Sequence, residues 1–138
     1  MPHTTVTYTR DLVGLGAVNW AEFAPALQSV IVSVADASPQ ACRTRFVAPQ
    51  DEWYVAGDRP DTRQAVHVEI ALKAGRSAEV RGELARAVLA LLRERLAPTP
   101  RFTVHLSVEV REMDPVGYAS HVEPRVQVAD GADVRGVG

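Results

Sequence analysis

Cysteine, lysine and long apolar runs are all scarce in this sequence. Cys42 is the only cysteine among 138 residues, so the chain cannot form an internal disulfide. One cysteine and four histidines at unrelated spacings match no zinc-ligand pattern. No apolar run approaches the roughly 18 residues that a membrane-spanning helix requires. We therefore expect neither a disulfide framework, nor a metal site, nor a membrane partner.

The charge of the chain is nearly balanced. The 15 basic and 17 acidic residues leave a formal net charge of −2, which offers no electrostatic basis for binding nucleic acid. Lys73 is the only lysine and all other basic residues are arginines, a bias that makes any single arginine weak evidence for a site. The opening residues lack the apolar segment of a secretory signal. We expect a reduced, soluble, cytoplasmic protein.

The first half of the chain predicts a strand, a helix and a second strand. Asn19 and Glu22 have the spacing of a capping box and mark the start of the helix. Pro25 would either kink this helix or begin it. In order, the elements are a strand at residues 3–8, a helix from residue 19 to about 35, a strand at about 41–48 and a loop or small hairpin at 49–64.

The second half repeats the same order with a clearer pattern. Residues 65–73 alternate strictly, with Val66, Val68, Ile70 and Leu72 on one side. Ser77 is suited to cap a helix that carries an apolar stripe at helical spacing. A second strict alternation follows at residues 101–110. The stripe consists of Val80, Leu84, Val88, Leu91 and Leu96, and the inward residues of the last strand are Phe102, Val104, Leu106, Val108 and Val110.

Together the two halves predict an α+β fold made of two βαβ units. At 138 residues with 46% apolar composition, the chain suits one domain with a real core. Right-handed crossovers place both helices on one face of a single four-stranded sheet. We assign residues 1–115 to this domain and interpret residues 116–138 as a C-terminal arm or tail. The uncovered polar face of the sheet must meet solvent or a partner.

A proline directly after the initiator methionine is the most unusual chemical feature. If Met1 is removed, Pro2 becomes a terminal secondary amine, and such an amine can accept a proton. Desolvation and neighbouring positive charge both lower the pKa of an amine toward neutrality, which suits a general base. Many proteins begin with Met-Pro for no catalytic reason, however, and a retained Met1 would leave Pro2 acylated and inert.

The sequence resembles the 5-carboxymethyl-2-hydroxymuconate Δ-isomerase family of the tautomerase superfamily over about residues 1–115. The residues that carry the resemblance are Met1-Pro2-His3, Pro25, Arg43-Thr44-Arg45, His67, Leu72-Lys73, Ala74-Gly75-Arg76-Ser77 and Glu109 through Pro115. The resemblance implies a tautomerase-like homotrimer in which Pro2, Arg43 and Arg76 form the active site. Arginine forks hold carboxylates bidentately, which suits the family's tricarboxylate dienol. We place Arg45 on the opposite strand face from Arg43 and interpret it as structural.

By this resemblance the protein is a cofactor-free, metal-free isomerase that ketonises a 2-hydroxymuconate-type dienol, with Pro2 as general base. Two alternatives stay open: a proline-dependent reaction on a different unsaturated acid, and a trimeric binding protein without catalysis. His67 and His105 are expected at a subunit interface rather than at a metal. The aromatic residues Trp20, Phe23, Phe46, Trp53 and Phe102 are expected in the core, and Glu52, Asp58 and Asp61 in a solvated loop.

Overall fold

The computed structural model describes residues 2–57 and 63–127, apart from the side chains of residues 13–15. Its strands are β1 (His3–Tyr8), β2 (Arg43–Val47), β3 (Arg63–Lys73) and β4 (Thr103–Met113), and its helices are α1 (Trp20–Ala35) and α2 (Ala78–Arg95). Short 3₁₀ turns lie at Arg10–Leu15 and Pro39–Ala41. Asp58 and Asp61, interpreted above as part of a solvated loop, lie outside the described residues, as does the end of the predicted tail.

Both predicted helix starts are confirmed by their caps. The Asn19 side chain accepts a hydrogen bond from the Glu22 amide at 3.3 Å, and the Ser77 hydroxyl accepts one from the Val80 amide at 3.2 Å. Pro25 neither begins nor ends α1 but lies inside it. α1 ends at Asp36, whose φ of 51° is left-handed.

The four strands form one mixed sheet in the order β2-β1-β3-β4. β1 is parallel to β2 and antiparallel to β3, and β3 is parallel to β4. The starts of β1 and β2 therefore lie at the same edge of the sheet as the ends of β3 and β4. We call this the proline edge, because Pro2 immediately precedes β1.

Both helices pack on one face of this sheet, as predicted. The alternating side chains of β3 and the inner faces of both helices are completely buried and form one cluster: Val66, Val68, Ile70 and Leu72 with Phe23, Leu27, Ile31, Leu84, Val88 and Leu92. The apolar side chains of β4 pack against this cluster while staying half-buried. The opposite face of the sheet has no helix among the described residues, and we call it the open face.

Two strand lengths and one core assignment differ from the sequence predictions. β3 begins at Arg63 and β4 extends to Met113, so both strands are longer than the alternation indicated. The expectation that Trp53 belongs to the core is wrong, since its side chain is 84% exposed. Trp53 lies in the segment between β2 and β3 rather than on a strand. Within the described part of the chain, no helix combines the length and hydrophobicity of a membrane span.

Candidate active site

Pro2 is buried at the proline edge. Its carbonyl oxygen accepts a hydrogen bond from the Arg43 amide at 3.0 Å, which joins the residue before β1 to the first residue of β2. The parallel register continues this contact by pairing His3 with Arg43. Two of the three predicted site residues are therefore neighbours on adjacent strands.

Arg43 projects an exposed guanidinium from the first position of β2. Its Nη1 donates to the carbonyl oxygens of Gln40 at 2.7 Å and Cys42 at 3.1 Å, so the preceding turn holds the side chain in place. Arg43 and Arg45 line the same groove, together with His3 and Thr5. Residues two apart on a strand share a face. The placement of Arg45 on the face opposite Arg43 is therefore wrong.

Arg76 reaches the same edge from the turn after β3, where its half-buried side chain contacts the end of α1. Nε donates to the Ala35 carbonyl at 2.9 Å, and the two Nη atoms lie 3.5 Å from the carbonyls of Asp36 and Lys73. The Ala35 and Asp36 oxygens lie at the end of α1, where partial negative charge favours a cation, and the Lys73 oxygen belongs to the last residue of β3. Within the described residues, the contacts join Pro2 to Arg43 but join neither of them to Arg76.

The proline edge holds cations that lack acidic partners. Other arginines pair with carboxylates, as Arg111 does with Glu69 at 2.8 Å and as Arg81 does with Glu112 near the end of β4. In the described ranges, no carboxylate lies within ion-pair distance of Arg43, Arg76 or Lys73. Among the described residues, no carboxylate neutralises the charge of these three cations, so the edge is suited to bind an anion.

Cys42 lies beside the cations of the proline edge, between the turn at Pro39–Ala41 and Arg43. Its thiol donates to the Ser38 carbonyl at 3.4 Å. Burial raises the pKa of the thiol, against the opposing positive charges of the amino terminus and Arg43. At neutral pH Cys42 is thus a thiol rather than a thiolate, which makes it an unsuitable nucleophile. The sequence analysis had not placed Cys42 near the site.

A tyrosine from the predicted tail also reaches the proline edge. The Tyr118 hydroxyl lies 3.0 Å from Nε2 of His3, and the two rings meet edge to face with centroids 5.9 Å apart. Tyr118 forms one wall of a depression of about 290 Å³. The other lining residues are Lys73, Ala74, Met113, Asp114 and Pro115. The sequence carried no periodic signal for Tyr118, because it follows the last strand.

His67 lies on the open face with two carboxylates near it. The ligand atoms of His67, Glu69 and Glu109 all lie within 4.8 Å of one another, and the sequence analysis had found no such partners for His67. Glu69, however, accepts hydrogen bonds from Nε and Nη2 of Arg111 at 3.1 and 2.8 Å. His67 Nδ1 lies 2.7 Å from the Ser107 hydroxyl. These contacts form a charge-paired network across β3 and β4.

Pro2 lies at the proline edge beside Arg43, in a chain that matches one family model. The family model for 5-carboxymethyl-2-hydroxymuconate isomerase matches residues 2–125. The chain belongs to this family. The match extends past residue 115, where the sequence analysis ended the domain, while the domain boundary itself stays a prediction. A search of curated proteins finds no significant sequence match.

Solved structures of the tautomerase superfamily share the fold of this family member. A 5-carboxymethyl-2-hydroxymuconate isomerase from Deinococcus radiodurans R1 is 26% identical with a TM-score of 0.75, covering 88% of this chain and 90% of its own. A 5-carboxymethyl-2-hydroxymuconate delta-isomerase is 17% identical with a TM-score of 0.72, covering 88% and 89%. A fused 4-OT in the form of a symmetric trimer is 20% identical with a TM-score of 0.60, covering 99% and 98%. Family and fold together identify an isomerase of the tautomerase superfamily.

Proposed function

We propose that this isomerase converts a 2-hydroxymuconate-type dienol, such as 5-carboxymethyl-2-hydroxymuconate, into its conjugated 2-oxo isomer. The neutral amine of Pro2, freed by removal of Met1, takes the proton from the 2-hydroxyl group. The electrons of the oxygen–hydrogen bond form the carbonyl at C2, and the C2=C3 π electrons move to form the C3=C4 double bond. The C4=C5 π electrons then take a proton from the prolinium at C5. The protein ends the cycle with the neutral amine restored, so no redox partner or cofactor enters the reaction.

The observation that carries this proposal is the position of Pro2. It is buried, and no carboxylate of the described residues lies within ion-pair distance of its neighbour Arg43. Burial and nearby positive charge both disfavour the protonated amine, so we expect the pKa of the Pro2 amine to be lowered toward neutrality. In this proposal Arg43 and Arg76 bind substrate carboxylates and stabilise the charge that develops on the oxygen.

Family membership also suggests an oligomeric state, a cellular location and a metabolic role for the proposed enzyme. We propose a homotrimer, in which the open face of the sheet lies against partner subunits, and the fused 4-OT trimer among the similar folds supports this arrangement. We further propose a cytoplasmic location and a role in bacterial breakdown of homoprotocatechuate-type aromatic acids. The partner of the site is a small unsaturated di- or tricarboxylate.

A different unsaturated acid is the second candidate substrate, and one contact favours it. The Nε–H group of Arg76 already donates to the Ala35 carbonyl at the end of α1, so it is not free for a ligand. A substrate with fewer carboxylates than the tricarboxylate needs fewer cations. A panel of mono-, di- and tricarboxylic dienols, compared by kcat/KM, separates the two candidates.

The Pro2 amine is tested by blocking it. A chain that retains Met1, or carries one added residue before Pro2, has an amide in place of the amine and should lose about 10²–10⁴-fold in kcat/KM. Pro2→Ala keeps a primary amine and should lose less. The pH profile of kcat/KM should rise with a single ionisation near neutrality, because the unprotonated amine is the active form. Full activity from a chain shown by mass spectrometry to carry Met1 would end the proposal.

A further inference from the structure

We propose that Lys73 binds the distal carboxylate of the substrate and makes this isomerase selective for dicarboxylic over monocarboxylic dienes. The inference rests on the proposed function, since it names a further specificity-determining residue of the same site. It comes from the position of Lys73 one residue beyond the β3 position that faces Pro2, from the face of the sheet on which Lys73 lies, and from the depression that it lines.

The strand register places Lys73 next to the amino end of β1. His3 pairs with Ala71 in the antiparallel ladder between β1 and β3. In an antiparallel ladder, residue numbers fall along one strand as they rise along its partner. Pro2 therefore lies opposite Leu72, and Lys73 is the next residue of β3. Neighbouring strands are about 4.8 Å apart. The stem of Lys73 therefore starts one strand away from the Pro2 nitrogen.

Lys73 projects toward the open face rather than the core. The completely buried side chains of β3 include Ile70 and Leu72, so the next residue in the alternation points the other way. His3, paired with Ala71, lies on this same side. Tyr118 contacts His3 there, which ties the wall of the depression to the start of β1.

The depression offers both kinds of contact that an unsaturated acid requires. Met113, Pro115 and the Tyr118 ring supply apolar and aromatic surface for a conjugated carbon chain. The Lys73 ammonium supplies three donors and a full positive charge for a carboxylate. Asp114 also lines the depression, but one of its carboxylate oxygens accepts from the Val116 amide at 3.0 Å. Its charge opposes a bound anion, so selectivity depends on Lys73.

The cations lie on two sides of Pro2, which supports two separate binding positions for carboxylates. Arg43 lies on the β2 side of Pro2 and Lys73 on the β3 side. Arg76 is held at the end of α1 by backbone carbonyls. A planar dienoate that spans the Pro2 nitrogen can thus place its first carboxylate near Arg43 and its distal carboxylate near Lys73.

A binding experiment tests this without requiring turnover. Muconate and sorbate are unreactive dienes with the same number of carbons, and only muconate has a carboxylate at both ends. Titration calorimetry on the mature protein should show tighter binding of muconate than of sorbate. Lys73→Gln should weaken muconate binding about ten- to a hundredfold, as expected for a lost hydrogen bond between charged groups, and leave sorbate binding within about threefold. Lys73→Arg should keep most of the preference for muconate.

The matched control is Arg101→Gln, which removes one exposed positive charge just before β4, at the opposite end of the sheet. It should change neither affinity. Equal affinities for the two acids in the wild type, or an equal loss of both in Lys73→Gln, would overturn the inference.

Steady-state kinetics with two dienol substrates shows whether the Lys73 inference or the proposed isomerase function has failed. 2-Hydroxymuconate and 2-hydroxypenta-2,4-dienoate differ in the distal carboxylate, and Lys73→Gln should raise KM for the first substrate only. The charged and titratable groups described at the proline edge include acidic and basic side chains from every neighbouring element: His3, Asp36, Cys42, Arg43, Arg45, Lys73, Arg76, Arg81, Glu112, Asp114 and Tyr118. Losing one of these cations should also shift the ionisation in the pH profile upward. A wild type that binds muconate through Lys73 but turns over neither dienol refutes the proposed reaction and leaves the carboxylate site standing.

Discussion

Replacing Arg76 with alanine should lower both the stability of the fold and the activity of the isomerase. Its Nε donates to the Ala35 carbonyl at 2.9 Å, while the other two contacts, at 3.5 Å, are too long to add much. One hydrogen bond from a charged donor contributes about 1.5–3 kcal/mol. We therefore expect Arg76→Ala to reduce the free energy of unfolding by about that amount.

The expected change in melting temperature follows from the chain length. An unfolding entropy of about 2.1 cal/mol/K per residue gives roughly 0.3 kcal/mol/K for this chain, so Tm should fall by about 5–10 °C. The measurement is thermal unfolding at matched protein concentration, because the Tm of an oligomer depends on concentration. The Tm of Arg76→Lys should lie between those of the wild type and Arg76→Ala, since lysine keeps the positive charge at the end of α1 but lacks the guanidinium fork.

Arg43→Ala is the informative comparison. The Arg43 guanidinium is exposed and contacts only carbonyls within three residues of it, so its loss should cost less than about 1 kcal/mol of stability. If both arginines bind carboxylates, both variants should lose roughly ten- to a hundredfold in kcat/KM. An Arg76→Ala protein that melts like the wild type would refute the stabilising role of its carbonyl contacts. One that melts lower but keeps full kcat/KM would remove Arg76 from the site and leave it as a cap of α1.

The remaining predictions concern assembly, packing and the thiol. Sedimentation equilibrium should give about three times the 15.0 kDa chain mass, and a monomer at micromolar concentration would contradict the trimer. Phe23→Ala should lower the free energy of unfolding in urea by about 3–5 kcal/mol, because Phe23 is completely buried. Trp53→Ala should lower it by less than about 0.5 kcal/mol, because Trp53 is 84% exposed. Equal losses in the two variants would refute this assignment of the core. Since burial raises the pKa of Cys42, iodoacetamide should label the folded chain more slowly at pH 8 than the unfolded chain, and labelling of the folded chain should accelerate as the pH rises.

The sequence by itself determined the elements, their order and the family. Strict alternation in β3 and the apolar stripe of α2 depend on spacing along one chain, and spacing is visible before folding. Asn19 and Ser77 predicted the starts of their helices, because a capping side chain bonds to an amide only three residues away. Pro2 was found through its position after Met1, which no tertiary contact alters.

Only the tertiary structure decided which side chains meet. Arg43 lies next to Pro2 because β2 pairs with β1 in parallel, and that register joins residues 41 apart. The role of Arg76 in binding substrate stays a prediction, and its Nε donates to the Ala35 carbonyl, which belongs to a different element. Tyr118, interpreted as part of a tail, contacts His3 across 115 residues. Such contacts depend on how strands and helices pack, and local periodicity carries no information about packing between distant segments.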